Sequence, residues 1–181
     1  MQVSDTTLPY RASAVGAAYD GLPLLPVTVL LDNIRSAYNV GAFFRTMDAV
    51  NGERLLLGGF TPGPAHRGVS KTALGAETTV SWQAIGDAAT VLDALVAHDV
   101  TVAAVETSTS AVDLFDWQPT FPVCLIFGHE VEGITPALLD RATVHVRLPM
   151  LGRKHSLNVA TAGGVVLYEL LRKYRQSRLP Q

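Results

Sequence analysis

Short runs of β-branched and aliphatic residues alternate along the chain with stretches whose apolar positions recur every three or four residues. Val27 to Leu31 (VTVLL) is the first strand-like run. After the polar stretch DNIRSAYN, the spacing of Val40, Phe44 and Met47, with Phe43 and Val50, predicts a helix that Asn51-Gly52 stops. Arg54 to Phe60 (RLLLGGF) reads as a second strand, and the Pro/Gly-rich TPGPAHRGVS as a loop. Lys71 to Ala76 is expected as a short helix and Thr78 to Trp82 as a third strand. Asp87 is placed to N-cap a helix reaching about His98, with Val91, Leu92, Leu95 and Val96 inward. Val100 to Val105 is the fourth strand, Ser108 to Thr120 is polar and irregular, and Val123 to Phe127 is the fifth strand. Pro136 suits the first turn of a short helix through Leu139. Val144 to Leu148 is the sixth strand, and a long apolar helix runs from about Leu157 to Tyr174. Apolar strands alternating with helices imply an α/β fold, a mostly parallel six-stranded sheet with helices on both faces. Residues 1–26 read as an N-terminal arm, 27–174 as one domain and 175–181 as a basic C-terminal tail.

Composition narrows the class. Of 181 residues, 48% are apolar and only 17% charged, which suits buried strands or a surface hidden in an oligomer. No apolar run is long enough to span a bilayer, and the N-terminus lacks the order of a secretory signal, so no membrane partner is expected. Cys124 is the only cysteine, set in the apolar run PVCLIFG; a small buried hydrophobe in a reducing cytoplasm is the expectation. The net charge of −2 hides an asymmetry: Thr72 to Asp140 holds ten acidic residues and no Lys or Arg, so the rest of the chain is basic. Folding that joined the two basic ends would make a phosphate-holding face. An asymmetry with no partner fits the charges equally well.

Ligands of such sheets bind at the carboxyl ends of strands. After the first strand there is no G-x-G-x-x-G; Asn39 and Gly41 instead open a helix whose free N–H groups suit an anion, with Arg45 further along. A plain helix cap with a surface Arg competes with that reading. After the fifth strand, FGHEVEGIT offers Gly128 for close backbone approach and Glu130 as a carboxylate at the strand end. His129 has no Cys or His companions, so no metal is expected. After the sixth strand, LPMLGRKHSLNVATAGG places Ser156 and Asn158 at a helix entry behind Arg153, Lys154 and His155. Ser156 as an ordinary N-cap is the simpler alternative. Gly163-Gly164 inside that helix implies close packing by another backbone, as across a subunit interface.

Together N-V-G-A-F-F-R (Asn39 to Arg45), F-G-H-E-V-E-G-I (Phe127 to Ile134) and L-P-M-L-G-R-K-H-S-L-N-V-A (Leu148 to Ala160) closely resemble the SPOUT superfamily of methyltransferases, in its SpoU/TrmH-like branch. KTALGAE (Lys71 to Glu77) resembles the linking segment of that branch, and the likeness runs from about Val27 to Tyr174. The resemblance implies a deep trefoil knot, a homodimer with the active site at the subunit interface, and S-adenosylmethionine (AdoMet) as methyl donor. It implies cofactor contacts from Val105, Gly128, Leu148, Met150, Ser156 and Leu157, and catalysis by Asn39, Arg45, Glu130, Ser156 and Asn158.

The implied reaction is methyl transfer to a ribose 2′-hydroxyl of RNA, tRNA being favoured over rRNA. An arginine is effectively always protonated, so Arg45 is expected to grip phosphate and acidify the hydroxyl, not to act as base. A phosphate oxygen or Glu130 would accept the proton, and Ser156 and Asn158 would orient the reacting groups. The rivals are a catalytically silent RNA- or AdoMet-binding module of the same fold, base methylation as in a sister branch, and an ordinary doubly wound nucleotide-binding enzyme.

Overall fold

A computed structural model of the protein describes residues 23–178, so the expected arm up to residue 22 and the last three residues of the tail lie outside the described residues. The chain runs through β1 (Leu25–Asp32), α1 (Ala37–Ala49), β2 (Gly52–Gly58), α2 (Arg67–Ala73), a 3-10 turn (Ala76–Thr78), β3 (Trp82–Ile85), α3 (Ala88–Ala97) and β4 (Thr101–Val105). Then follow β5 (Val112–Asp113), β6 (Val123–Phe127), α4 (Pro136–Leu139), β7 (Val144–Arg147) and α5 (Val159–Ser177). The sheet order is β3-β2-β1-β6-β4-β7-β5, and every pairing is parallel.

The sheet therefore has seven strands, not the expected six. The extra one, β5, is two residues at the edge beside β7, too short to leave a period in the stretch read as irregular. The third strand also lies later than expected. Thr78 and Thr79 turn their hydroxyls onto Gly75 O and Ala76 O, and local bonds of this kind favour a turn over a strand despite the β-prone sequence.

Alternation along the central strands sorts the core into two layers. Leu25, Val27, Val29 and Leu31 of β1, with Val123, Leu125 and Phe127 of β6, pack under α1 and α5. Leu30, Cys124 and Ile126 face the other way, toward Leu92 of α3 and Leu138 of α4. Burial pushes the Cys124 thiol up to about 12, which leaves it an inert core residue. Glycine permits the tightest helix contacts: a Cβ on Gly41 would lie 2.7 Å from Val69 O of α2. Gly41 thus serves helix packing, leaving no room for a side chain between α1 and α2.

The Gly163-Gly164 pair divides in the same way. A Cβ on Gly163 would lie 2.2 Å from the Phe43 ring, whereas nothing stands within 4 Å of one on Gly164. Half of the pair therefore answers to packing within the chain. Lys173, one of the basic residues near the C-terminal end, is buried and donates to the carbonyls of Leu114, Phe115 and Trp117. It ties α5 to the segment after β5. We expect Gly163→Ala to destabilise the fold by ~1–3 kcal/mol through overpacking against Phe43, measured by urea unfolding. Stability equal to wild type would mean that α1 and α5 are not so closely packed.

Candidate cofactor pocket and active site

The strand order reverses between β1 and β6, the place where open α/β sheets leave a crevice at their carboxyl ends. Two loops shape that rim. The first, after β6, closes on itself: His129 N donates to Gly133 O at 3.0 Å and Gly133 N to His129 O at 2.9 Å. Gly128 is required because a Cβ there would meet the Gly133 and Ile134 backbone at 2.3 Å. Its close approach is thus to the protein's own chain, with Gly133 at φ +76 completing the turn. The second loop, Leu148 to Asn158, leads into α5, and its residues from Leu151 onward are exposed.

Between these loops lies a pocket of about 370 Å³ over the ends of β4, β6 and β7, a size in the usual range of roughly 300–1,000 Å³ for small-molecule sites. All six expected cofactor residues, Val105, Gly128, Leu148, Met150, Ser156 and Leu157, line it, and so do Glu130 and Asn158.

The polar side chains at its edge form one connected chain. Asn158 Nδ2 donates to Asn39 Oδ1 at 3.1 Å, and Asn39 Nδ2 donates to Glu130 Oε1 at 2.8 Å. Glu130 also accepts from Ser36 N and Arg35 N, each at 3.0 Å. Its carboxylate thus sits against the N-terminus of α1, where the helix dipole and unpaired amides favour a negative charge. That end was read as free for a ligand anion; Glu130 supplies the anion from within the chain. Ser36, not Asn39, is the N-cap, accepting from Asn39 N. On α5 the N-cap is Asn158, whose Oδ1 accepts from Ala160 N and Thr161 N, so Ser156 stays free of that duty.

Arg45 stands apart. It is exposed on α1, six residues beyond Asn39, and does not line the pocket of its own chain. Three lining residues escaped the sequence reading: Glu106, Thr107 and Arg147. Their signal was position alone, at or just past the ends of β4 and β7. Glu106 Oε1 accepts from Thr107 N at 2.8 Å, and a Cβ on Gly133 would come within 2.7 Å of its Oε2.

Partial burial alone would raise the pKa of Glu130. Hydrogen bonds from Arg35 N, its own amide, Ser36 N and Asn39 outweigh this and hold the carboxyl below the usual carboxylate range.

A parallel sheet with helices on both faces, opening at its strand ends into a pocket edged by Asn158, Asn39 and Glu130, defines an α/β protein with a small-molecule-sized site at the carboxyl edge of its sheet. Residues 26–168 match the SpoU rRNA Methylase family, and the chain belongs to that family. It is 33% identical over 151 residues to the tRNA (guanosine(18)-2′-O)-methyltransferase of Escherichia coli K12, covering 81% of this chain and 63% of that protein. Among solved structures, the A. aeolicus TrmH/SpoU tRNA modifying enzyme matches with a TM-score of 0.77 and 26% identity, over 84% of this chain and 77% of that one. The AdoMet-bound rRNA methyltransferase of Sinorhizobium meliloti matches with a TM-score of 0.72 and 25% identity, over 87% and 62%. The chain spans about three-fifths of the length of the curated relatives it matches, 61% and 63% for two of them.

A carboxyl whose folded pKa is lowered keeps its contribution above the unfolded value of about 4.3 and loses it as pH falls through the lower folded value. The Glu130 network should therefore stay intact throughout the neutral range, and a pH–rate profile should show no Glu130 inflection between about pH 5 and 8. Glu130→Gln sets an amide N–H₂ against N–H donors and should lower turnover ~10-fold or more. An inflection near neutrality that vanished in Glu130→Gln would contradict this.

Proposed function

We propose that the protein is an AdoMet-dependent RNA methyltransferase that modifies a ribose 2′-hydroxyl. The observation that carries the reading is the Asn158–Asn39–Glu130 chain standing at the edge of a pocket lined by all six expected cofactor residues. The likeness to an enzyme named for tRNA 2′-O-methylation, to a tRNA modifying enzyme and to an AdoMet-bound rRNA methyltransferase supports it. tRNA is favoured on the same grounds; rRNA is the second reading, since the matching family and the S. meliloti relative are named for it.

AdoMet would be held by the backbone and apolar surface of Val105, Gly128, Leu148, Met150 and Leu157, and supplies a methyl group on a sulfonium that leaves neutral. Glu106, at the same wall, suits hydroxyl or ammonium donors of the cofactor. The difficulty of the reaction lies with the attacking hydroxyl, which must lose its proton. With Glu130 already accepting hydrogen bonds from Arg35, Ser36 and Asn39, its role is to hold Asn39 in place, and a phosphate oxygen of the RNA is the better proton acceptor. Ser156 and Asn158 orient the ribose. Arg45 grips the phosphate and stabilises the developing alkoxide charge.

A homodimer with a shared site fits three features. Arg45 lies outside its own pocket, Leu151 in the pocket loop is 100% exposed, and α5 presents Val165 and Tyr168 to solvent beside the open Gly164. Membership of the SpoU family supports the trefoil knot. Among the described residues no helix is long and apolar enough to cross a membrane and no group of three or more His, Cys, Asp or Glu is arranged to hold a metal. The lone, buried Cys124 supports a cytoplasmic location.

The deciding experiment transfers label from AdoMet into total RNA of a strain lacking the protein, then identifies the labelled nucleoside by mass spectrometry. A 2′-O-methylnucleoside is expected; label on a base would place the chemistry in the sister branch. Arg45→Ala should lower this transfer ~10²-fold or more while AdoMet affinity, read by calorimetry, stays within about twofold. Equal loss of both would make Arg45 a cofactor or folding residue.

A further inference from the structure

Beside the cofactor pocket lies a second cavity of about 260 Å³, bounded by Asn33, Phe60, His129, Glu132 and the turn from Gly133 to Pro136. It sits over the ends of β1, β2 and β6, at the reversal of strand order, and shares His129 and Gly133 with the cofactor pocket. We propose that this cavity is a nucleobase cradle, in which the base of the RNA nucleotide presented for methylation stacks on Phe60 and meets His129 along its edge. The proposal rests on the ribose-methylation reading and says where the rest of the target nucleotide goes.

Phe60 is 61% exposed, yet its backbone is pinned from several sides. Phe60 N donates to Asn33 Oδ1 at 3.2 Å, and Asn33 Nδ2 reaches Asp32 Oδ1 at 2.8 Å. Thr61 Oγ1 donates to Leu31 O and accepts from Ile34 N, both at 3.0 Å. The junction needs glycine before it: Gly59 has φ +60, and a Cβ there would fall 2.0 Å from Asn33 Oδ1. An aromatic ring on so constrained a backbone, with most of its surface in water, adds little to the core. It is a preformed stacking face, and base stacking on such a ring is sequence-tolerant and strong.

His129 completes the cradle. Its ring meets Phe60 edge-on, with centroids 6.0 Å apart and planes at 77°. Val131 N and Glu132 N donate to Nδ1 at 3.2 and 3.1 Å, which fixes the ring and puts the proton of the neutral imidazole on Nε2. No described residue bonds Nε2. Phe60 and His129 therefore offer one flat apolar face and one N–H donor, with the Glu132 carboxylate beside them as an acceptor, groups of the kind that single-stranded bases are read by.

Position links the cradle to the reaction. His129 and Glu130 are adjacent, so a nucleotide with its ribose at the Glu130–Asn39 pair has its base within reach of the second cavity. Arg35, exposed in the same turn, is placed for the neighbouring phosphate.

The test uses the full chain and total small RNA from a strain lacking the protein. Ultraviolet zero-length cross-linking with peptide mapping should put cross-links on the segment containing Phe60. Phe60→Ala and Phe60→Leu should lower kcat/KM for RNA ~10-fold or more, chiefly through KM, while Phe60→Tyr retains it. AdoMet affinity should stay within about twofold in all three. Phe60→Leu transferring as well as wild type, or cross-links confined to other segments, would overturn the cradle. Cross-links at Phe60 without 2′-O-methyl product would keep the cradle and overturn the ribose reading.

Discussion

One carboxylate, Glu130, holds the rim of the sheet together. It projects from the loop after β6 and sits against the N-terminus of α1, accepting from Arg35 N, Ser36 N and Asn39 Nδ2. Remove it and three donors lose their partner at the strand-order reversal, where the sheet leaves a crevice. Place it there and the Asn39 amide is oriented, its oxygen turned toward Asn158, which in turn caps α5. Three segments separated by about ninety and thirty residues in sequence thus become one polar wall. The bonds also keep Glu130 ionised, so the wall is fixed in charge as well as in shape.

That constraint divides the rim. On one side, the ends of β4, β6 and β7 and the loop into α5 enclose the candidate cofactor pocket. On the other, the ends of β1 and β2, pinned by Asn33 and Thr61, hold Phe60 beside His129. The loop from Gly128 to Gly133 is the partition, closed by its own pair of backbone hydrogen bonds. In the proposed reaction, methyl donor and acceptor take separate walls and one shared edge, as a transfer between two bound molecules requires.

The central strands were legible because parallel strands buried on both faces read as continuous apolar runs, as in Val27 to Leu31 and Val123 to Phe127. The pocket lining was legible because its motifs stand at strand ends. β5 was not, being two residues long, and the turn at Ala76–Thr78 was not, because threonine is β-prone until its hydroxyl finds a nearby carbonyl. The burial of Lys173 was not legible either, since nothing local reveals three carbonyls arriving from about sixty residues away. For the same reason the partner of α1's N-terminus could not be read from α1. Gly163 looked like an interface residue because sequence shows that something must come close but not that it is Phe43.

The claim at the centre of this account is that Glu130, Asn39 and Asn158 act as one unit in positioning the ribose. A double-mutant cycle in ribose methyl transfer addresses it directly, using Glu130→Gln and Asn158→Asp, the latter keeping a side-chain oxygen to cap α5 while losing the donor to Asn39. If the unit is real, the double variant should be no slower than the slower single variant, since either change breaks the same chain. Losses that multiply would mean that the residues act independently, and would contradict the account.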